Sequence, residues 1–401
     1  MRPLRRGYVA GPLIGLLWAL VIATTTAVAF SFATGGAFRP GLWGGGLLGI
    51  ASGLLAVAFP RLAGPAGLIL GTGLAVTPLA PVLSDGVGPF AAMLSGAVAG
   101  GATGWPVAAM MRGCGPDRLD RHEFEHAIIR FLTGFGYIFF TAIVLIPFYV
   151  MVMTSLKNQS ELIRNPLDFT IDLSRGWDLF RSYAELFGQF GFGGYLWISF
   201  LVSVLTVIVT LLFAVPGAYA VARLRFPGRA PVSRSILLIY MVPMIVLALP
   251  IYIAFSVTGL RNSILGIVLI YPVTTIPVAL YMLQGYFRGL PAEIEEAGLM
   301  DGLGRLRVIW KITLPLSMPA LASVSLYVFM IAWNEFLLAF MLLDDPSKFT
   351  LTRGIASLNS SEIPRQHLMA GAVIATVPIM ALFLGLERFM TRGLTAGSVK
   401  G

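Results

Sequence analysis

The sequence predicts an all-α polytopic membrane protein with about ten transmembrane helices. Of its 401 residues, 57% are hydrophobic and 12% are charged, whereas soluble domains carry about 25% charged residues. The mean hydropathy is +0.84. Long apolar runs recur along the chain, and a helix needs roughly 20 mostly apolar residues to cross a bilayer. These observations exclude an ordinary soluble enzyme and a disordered chain.

Ten apolar runs are candidate spans, bounded by Gly, Pro and charged residues. Four of them precede a polar linker and six follow it. This order predicts an N-terminal membrane extension (1–111), a cytoplasmic linker (112–130) and a six-span domain (131–401). The runs cover residues 11–33, 42–59, 66–83, 89–111, 131–153, 195–221, 234–257, 262–283, 318–343 and 367–389.

Lys and Arg residues are distributed unevenly between the two sides of these spans, and this asymmetry sets the orientation. With the N-terminus in the cytoplasm, 19 of the 28 basic residues fall in cytoplasmic segments. Of the 19 acidic residues, nine fall inside and nine outside, and Glu335 lies within a span. Both termini are therefore predicted to be cytoplasmic. Topology alone accounts for the formal charge of +9, so no nucleic-acid partner is expected.

The N-terminal extension is rich in glycine and has no ionisable residue inside its four predicted spans. Small residues four apart share a helix face and allow close approach of two backbones. This spacing favours packing among the four helices, and an interface to another subunit is the alternative. The three ladders are Gly45-Gly49-Gly53, Gly67-Gly71 and Gly96-Gly100-Gly104.

The linker, predicted to be helical from about Asp117, contains a match to the H-E-x-x-H pattern of zinc proteases at His122-Glu123-x-x-His126. A zinc site needs a third protein ligand, and the remaining histidine, His367, is predicted on the other side of the membrane. We expect a solvated amphipathic helix with no metal-binding or catalytic residue. A membrane zinc metalloprotease is the alternative.

Residues 286–317, between the eighth and ninth spans, predict a helix–turn–helix on the cytoplasmic face. Pro291 suits the first turn of a helix, and the glutamates that follow are favourable near its positive end. Asp301-Gly302 is a stop-and-turn signal, and Pro315 is expected to end the second helix. The small residues Ala297 and Gly298 would let a partner surface come close.

This stretch resembles the E-A-A-x3-G-x9-I-x-L-P pattern of membrane subunits of binding-protein-dependent ABC importers. It reads here as Glu296-Ala297-Gly298, Gly302, Ile312, Leu314 and Pro315, with Gly298 in place of the second alanine. Further segments are similar to the carbohydrate branch, the maltose-type second permease. They are Thr154-Ser155-Leu156-Lys157, Trp333-Asn334-Glu335-Phe336 and the tail Gly393–Gly401. The resemblance covers residues 125–401 and none of the first 111.

The resemblance implies a six-helix ABC permease core in the C-terminal two-thirds of the chain. It also implies a position in the cell (inner) membrane and transport of sugars or oligosaccharides. The expected partners are the lipid bilayer, a second homologous permease, a dimeric ABC ATPase and an extracytoplasmic sugar-binding protein that docks on loops 154–194 and 344–366. The expected ATPase-docking and coupling residues are Glu293, Glu296, Ala297, Gly298, Asp301, Gly302, Ile312, Leu314 and Pro315.

The chain itself is expected to be non-catalytic and to bind no cofactor. A P-loop places a glycine directly before its lysine, and none of the four lysines follows a glycine. ATP and Mg²⁺ are therefore expected in the partner ATPase.

Glu335 lies inside the ninth predicted span, where a charge costs roughly 2.5–3.5 kcal/mol. It would line the pathway or form an outer gate, or it would hydrogen-bond to Asn334 or a neighbouring helix. Proton coupling is a third reading, which fits an ion-coupled secondary transporter, the leading alternative function. Trp333 and Asn334 are further pathway candidates, because aromatic faces and amides suit sugar rings.

Overall fold

A computed structural model describes residues 5–164, 170–236, 238, 242–360 and 362–395. It divides into two compact units, Met1–Gly176 and Trp177–Gly401. The first unit includes the predicted linker and the helix of the fifth predicted span. Most of the tail motif, Gly393–Gly401, lies outside the described residues.

The first unit consists of six helices and one two-stranded ribbon among its described residues. The strands, β1 (Ala37–Pro40) and β2 (Val82–Asp85), pair antiparallel with Ala37 opposite Asp85. The helices are α1 (Gly7–Thr34), α2 (Leu42–Ala58), α3 (Pro60–Leu74), α4 (Pro89–Met110), α5 (Arg121–Ser155) and α6 (Gln159–Arg164).

Glycine ladders hold the first four helices together in two hairpins, α1 with α2 and α3 with α4. A Cβ atom added to Gly15 would collide with the backbone of Gly49, and one added to Gly100 would collide with the backbone of Gly67. Only glycine permits this approach, which confirms the prediction that the ladders serve internal packing.

The linker helix begins at Arg121, four residues later than predicted. The residues just before Arg121 are not helical, because they form backbone hydrogen bonds with the N-terminal segment. Gly7 N donates to the Asp117 carbonyl at 2.9 Å, and Leu119 N donates to the Arg5 carbonyl at 2.7 Å. Asp120 then caps the helix, which continues without interruption to Ser155.

The second unit is entirely helical apart from its loops, over the residues that the structure describes. Its long α8 packs against α12 and α16, and α16 packs against α19. The helices are α7 (Arg181–Gly188), α8 (Phe192–Arg223), α9 (Arg229–Ser235), α10 (Met244–Val257), α11 (Ile264–Ile270), α12 (Pro272–Gly289), α13 (Ala292–Met300), α14 (Arg305–Val308), α15 (Leu314–Leu316), α16 (Met318–Asn334), α17 (Leu337–Leu342), α18 (Leu351–Ser357) and α19 (Arg365–Thr395).

The predicted count of ten spans is not confirmed. Among the described residues, five helices are long and apolar enough to cross a membrane: α1, α5, α8, the α11–α12 pair and α19. A sixth span arises if the bent pair Arg305–Leu316 and Met318–Asn334 is one crossing. The runs that gave α2, α3 and α10 yield only 17, 15 and 14 helical residues. At 1.5 Å per residue, such helices are shorter than the roughly 30 Å hydrocarbon core.

Candidate functional site

The helix–turn–helix predicted between the eighth and ninth apolar runs is present as α13 and α14. Helix α13 ends where Asp301 N donates to the Ala297 carbonyl at 2.9 Å. Gly302 follows with a φ of 83°, a left-handed conformation that glycine adopts without steric cost. Leu303 N then donates to the Gly298 carbonyl at 3.1 Å. These bonds close the turn and fix the direction in which the chain returns.

Gly298 lies inside this segment and is buried. A Cβ atom on it would stand 2.5 Å from Ile312 Cδ1 and 3.5 Å from Val308 Cγ2. The small residue therefore lets α13 pack closely against the returning chain. This corrects the expectation that Gly298 faces a partner, since its space is filled by the protein's own side chains.

The helical path continues through Pro315 rather than ending there. Residues Ile309–Thr313 form a π-helical turn, and Leu314 N donates to the Ile309 carbonyl. The wider turn precedes α15, which contains the proline. The axis then bends by 77° between α15 and α16, so the break comes at Ser317 and not at Pro315.

Glu295 anchors α13 to the rest of the second unit, although no sequence pattern marks it as a site residue. Its carboxylate lies 3.5 Å from Arg223 Nε at the end of α8. It also accepts hydrogen bonds from the hydroxyls of Thr313 (3.0 Å) and Tyr219 (3.2 Å). Arg223 in turn donates to the Leu290 carbonyl at 2.6 Å.

This ion pair is shielded from solvent, because the Arg223 and Glu295 side chains are only 13% and 12% exposed. Removing one partner of a buried pair leaves an uncompensated charge and is strongly destabilising. The anchor therefore fixes α13 relative to α8 and to the segment before α16. Because the residues of this anchor are distant in sequence, no local pattern predicts it.

The outer surface of the segment combines acidic, basic and apolar side chains. Glu293, Glu296 and Ala297 are exposed. Three large apolar side chains are also exposed, namely Met300 (88%), Leu306 (74%) and Trp310 (72%). Large exposed apolar side chains that lie together are available for contact with a partner or with the membrane. We call Glu293, Glu296, Ala297, Met300, Leu306 and Trp310 the docking surface.

Of the other predicted coupling residues, Asp301, Gly302 and Pro315 are exposed, and Ile312 and Leu314 are half-buried. The turn residues thus stand at the end of the segment, whereas the two aliphatic residues pack beneath it.

Glu335 interrupts the ninth predicted span, which was expected to be continuous over 318–343. Helix α16 stops at Asn334 and α17 starts at Leu337. The Glu335 carboxylate accepts from Leu338 N at 2.9 Å and from Ala339 N at 3.2 Å. A carboxylate is favourable there because the first N–H groups of a helix lack partners and carry partial positive charge. Glu335 is therefore the cap of a broken helix.

Trp333 and Asn334 occupy different environments although they are adjacent. Trp333 is buried, stacks on Phe329 with a centroid distance of 5.6 Å, and donates to the Ala375 carbonyl at 3.2 Å. Asn334 is exposed and donates to the Met330 carbonyl at 2.8 Å. The indole is thus committed to packing α16 against α19.

The H-E-x-x-H stretch serves the start of α5. The Glu123 carboxylate accepts from Asp120 N at 2.9 Å as part of a capping box. His122 Nε2 and His126 Nε2 lie 3.1 Å apart on the exposed face. Among the described residues, no group of three His, Cys, Asp or Glu side chains could hold a metal ion. The Glu123 carboxylate thus caps the start of α5.

The third histidine belongs to a polar cluster of the second unit. His367 is buried, and its Nε2 lies 2.7 Å from Glu185 Oε2. Arg181 Nε donates to the other oxygen, Oε1, at 2.8 Å. The hydrogen bond from Arg181, and next that from His367, hold the pKa of Glu185 below its ordinary value. This cluster connects α7 to the start of α19.

Comparison with known proteins relates most of the chain to transport permeases. Residues 214–395 match the family described as binding-protein-dependent transport system inner membrane component. The chain is 39% identical over 269 residues to the inner membrane ABC transporter permease protein YcjP of Escherichia coli (strain K12), covering 66% of this chain and 95% of that protein.

One further relative and one solved structure extend the comparison. The trehalose/maltose transport system permease protein MalG of Thermococcus litoralis is 32% identical over 282 residues, covering 69% of this chain and 99% of that protein. The fold is similar to a chain in the crystal structure of a bacterial ABC transporter involved in the import of alginate. That match has a TM-score of 0.56 and 22% identity, and it covers 67% of this chain and 98% of the other.

Proposed function

Since this chain belongs to the binding-protein-dependent transport system inner membrane components, we propose that it carries sugars or oligosaccharides across the cell membrane as one half of a translocation pathway. Relatives named for sugar uptake support this substrate class, among them trehalose/maltose and arabinooligosaccharide permeases. A second, homologous permease supplies the other half of the pathway.

Family membership implies an ATPase and a substrate-binding protein as partners. We assign the ATPase, as a dimer that holds ATP and Mg²⁺, to the docking surface, and the binding protein to loops 154–194 and 344–366. The chain itself contributes no catalytic group. Both termini then lie in the cytoplasm, on the same side as α13.

One observation supports the coupling role: α13 is fixed to α8 by a buried ion pair, while the docking surface beside it is exposed. The Glu295–Arg223 pair fixes the helix to α8, while Met300, Leu306 and Trp310 stand exposed beside it. A push on this surface is therefore transmitted to the membrane helices rather than absorbed by a flexible loop. The turn after α13 is formed at Gly302. The chain that returns from it towards α16 contains Ile312, Leu314 and Pro315.

The predicted pathway residues differ in their environments. Asn334 and the broken helix at Glu335 are our candidates for the pathway, because discontinuous helices commonly border substrate sites in transporters. Trp333, which precedes both residues, fixes this end of α16 to α19 through its hydrogen bond to the Ala375 carbonyl.

The experiment is ATP-dependent uptake by vesicles that contain the chain and its partner subunits. We expect Glu296→Lys to abolish ATPase copurification and uptake while membrane insertion is preserved. The matched control is Asp117→Lys, an equal charge reversal at an exposed linker residue, which should leave both intact. Normal copurification and uptake with Glu296→Lys would defeat the docking assignment, and uptake lost on collapse of an ion gradient alone would defeat ATP coupling.

A further inference from the structure

A cavity with three arginines lies beside α9 and the C-terminal end of α12. Its volume is about 630 Å³, and Arg229, Arg234 and Arg288 line it together with Ser233 and Phe226. Ligand pockets commonly have volumes of about 300–1,000 Å³. The cavity lies outside the docking surface and the broken helix at Glu335, so the proposed transport function does not use it.

The positive charge of this cavity is not neutralised by any carboxylate among the described residues. Arg229 donates to the Val221 and Ala222 carbonyls, each at 2.7 Å. Arg288 donates to Ser233 Oγ at 3.0 Å. The Arg234 side chain makes no hydrogen bond or ion pair within the part of the chain that the structure describes. Three uncompensated guanidinium groups around one cavity favour an anionic ligand, and guanidinium donors match phosphate oxygens in geometry.

Several of these groups are held in place before any ligand arrives. The two carbonyls that Arg229 contacts belong to the last turn of α8, which fixes the guanidinium at the helix end. The Gln284 amide is hydrogen-bonded to the Ser233 hydroxyl at 2.7 Å, and Gln284 is 5% exposed. Such pre-positioned donors reduce the ordering that binding requires.

Exposed apolar side chains lie on α9 and on the segments that flank it, and one of them, Phe226, lines the cavity. Phe226 is 38% exposed, Val232 is 46% exposed and Leu238 is 56% exposed. Arginines next to exposed apolar groups are typical of segments that lie at the boundary between lipid headgroups and acyl chains. Basic pockets between transmembrane helices on the cytoplasmic side bind acidic lipid headgroups.

The cavity also adjoins the coupling segment. Arg288 lies three residues before Pro291, and Arg223, which ends α8, donates to the Leu290 carbonyl at 2.6 Å. The cavity and α13 are therefore at the same end of α8 and α12. If α13 faces the cytoplasm, as the proposed function requires, the cavity faces the inner leaflet.

We propose that this cavity binds the phosphodiester group of an anionic phospholipid of the inner leaflet. The headgroup phosphate contacts Arg234 and Arg288, and Arg229 adds charge from the end of α8. The acyl chains run along the exposed apolar side chains of α9 and its flanking segments. Free phosphate has the same anionic chemistry but no acyl chains, so the two sources can be separated by experiment. Only the assignment to a leaflet rests on the proposed function.

The test is titration of the delipidated full-length chain in detergent with phosphatidylglycerol or phosphatidylcholine, with bound lipid counted by native mass spectrometry. We expect preferential retention of phosphatidylglycerol, weakened at least tenfold by Arg234→Gln with Arg288→Gln. The matched control is Arg61→Gln with Arg112→Gln, which removes the same charge from exposed positions and should change retention less than twofold. Excess inorganic phosphate should not displace the lipid.

Equal retention of the two lipids, or equal losses in the pocket and control variants, would overturn the proposal. Full competition by inorganic phosphate would assign the cavity to free phosphate and overturn the lipid assignment. Arg234→Gln alone keeps the test decisive if the double variant unfolds, because Arg234 makes no described contact that folding requires. ATPase copurification with the same variants reports separately on the transport role, so the two proposals can fail independently.

Discussion

The two units bring their helices together in different ways. In the first, backbones touch at glycines, and α1 to α4 have no ionisable side chain in their predicted spans. In the second, polar contacts connect the helices, as in the Thr210–Thr275 hydroxyl pair at 2.6 Å and the Glu295–Arg223 pair. The second unit also contains a π-helical turn and a helix broken at Glu335.

This difference shows where motion can be concentrated. Backbone contact along a ladder leaves no room for sliding, because any side chain there collides with the opposite helix. A π-helical turn, a capped break and a buried ion pair each offer a discrete position at which a helix can change direction. We therefore expect conformational change in the second unit and a rigid first unit.

The largest expected effect tests the polar anchor. Glu295→Ala leaves Arg223 buried without a counter-charge and should lower the free energy of unfolding by about 3–5 kcal/mol, measured by denaturant unfolding in detergent. ATP-dependent uptake should be lost with it. Glu293→Ala, in the same helix turn but exposed, is the control for stability. Adding Arg223→Met to Glu295→Ala should restore part of the stability, and no restoration would argue against a charge effect.

The next effect tests the glycine ladders. Gly71→Val places a side chain against the backbone of Gly96 and Gly100, and overpacking of this kind costs typically about 1–3 kcal/mol. Gly73→Val is the matched control, since no atom lies within 4 Å of an added Cβ in the same helix. Thermal unfolding of the two variants would sharpen the contrast. Equal midpoints would mean that α3 and α4 are not in backbone contact.

A smaller effect is expected at the turn after α13. Gly302 has a φ of 83°, and a left-handed conformation costs an L-residue roughly 1–2 kcal/mol. Gly302→Ala should therefore weaken ATPase copurification. Gly304 has a φ of −70° and open space around it, so Gly304→Ala should not. A matching loss in both variants would point to the side chain's bulk rather than to backbone conformation.

The smallest effect is the response of the Arg181–Glu185–His367 cluster to acid. Because the folded-state pKa of Glu185 is lowered, its stabilising effect is complete above the unfolded-state pKa and is lost as pH falls through the folded-state value. The unfolding temperature of Glu185→Gln should consequently differ from that of the wild type at neutral pH and converge with it in acid. Glu362→Gln, at an exposed position, should show no such convergence, and a constant difference for Glu185→Gln would contradict the assignment.

The sequence predicted the features that are encoded locally. The spacing around Asp301-Gly302 specified a turn, and the glycine ladders specified close packing. It did not predict which apolar runs are too short to span, because apolar composition continues past the end of a helix such as α3. It also missed the anchor at Glu295, since Tyr219 and Thr313 are 76 and 18 residues away. It predicted a continuous span through Glu335, because the N–H groups that the Glu335 carboxylate accepts from are defined only once α17 has formed.

Backbone hydrogen bonds pair Gly7 with Asp117 and Arg5 with Leu119, so the two ends of the N-terminal extension lie side by side. The chain enters and leaves its four glycine-rich helices at one point, where the two ends are joined by backbone bonds. The four helices can therefore be removed as one piece. A deletion from about Arg6 to Arg118 would join Arg5 to Leu119, which already lie next to each other, without stretching the polypeptide.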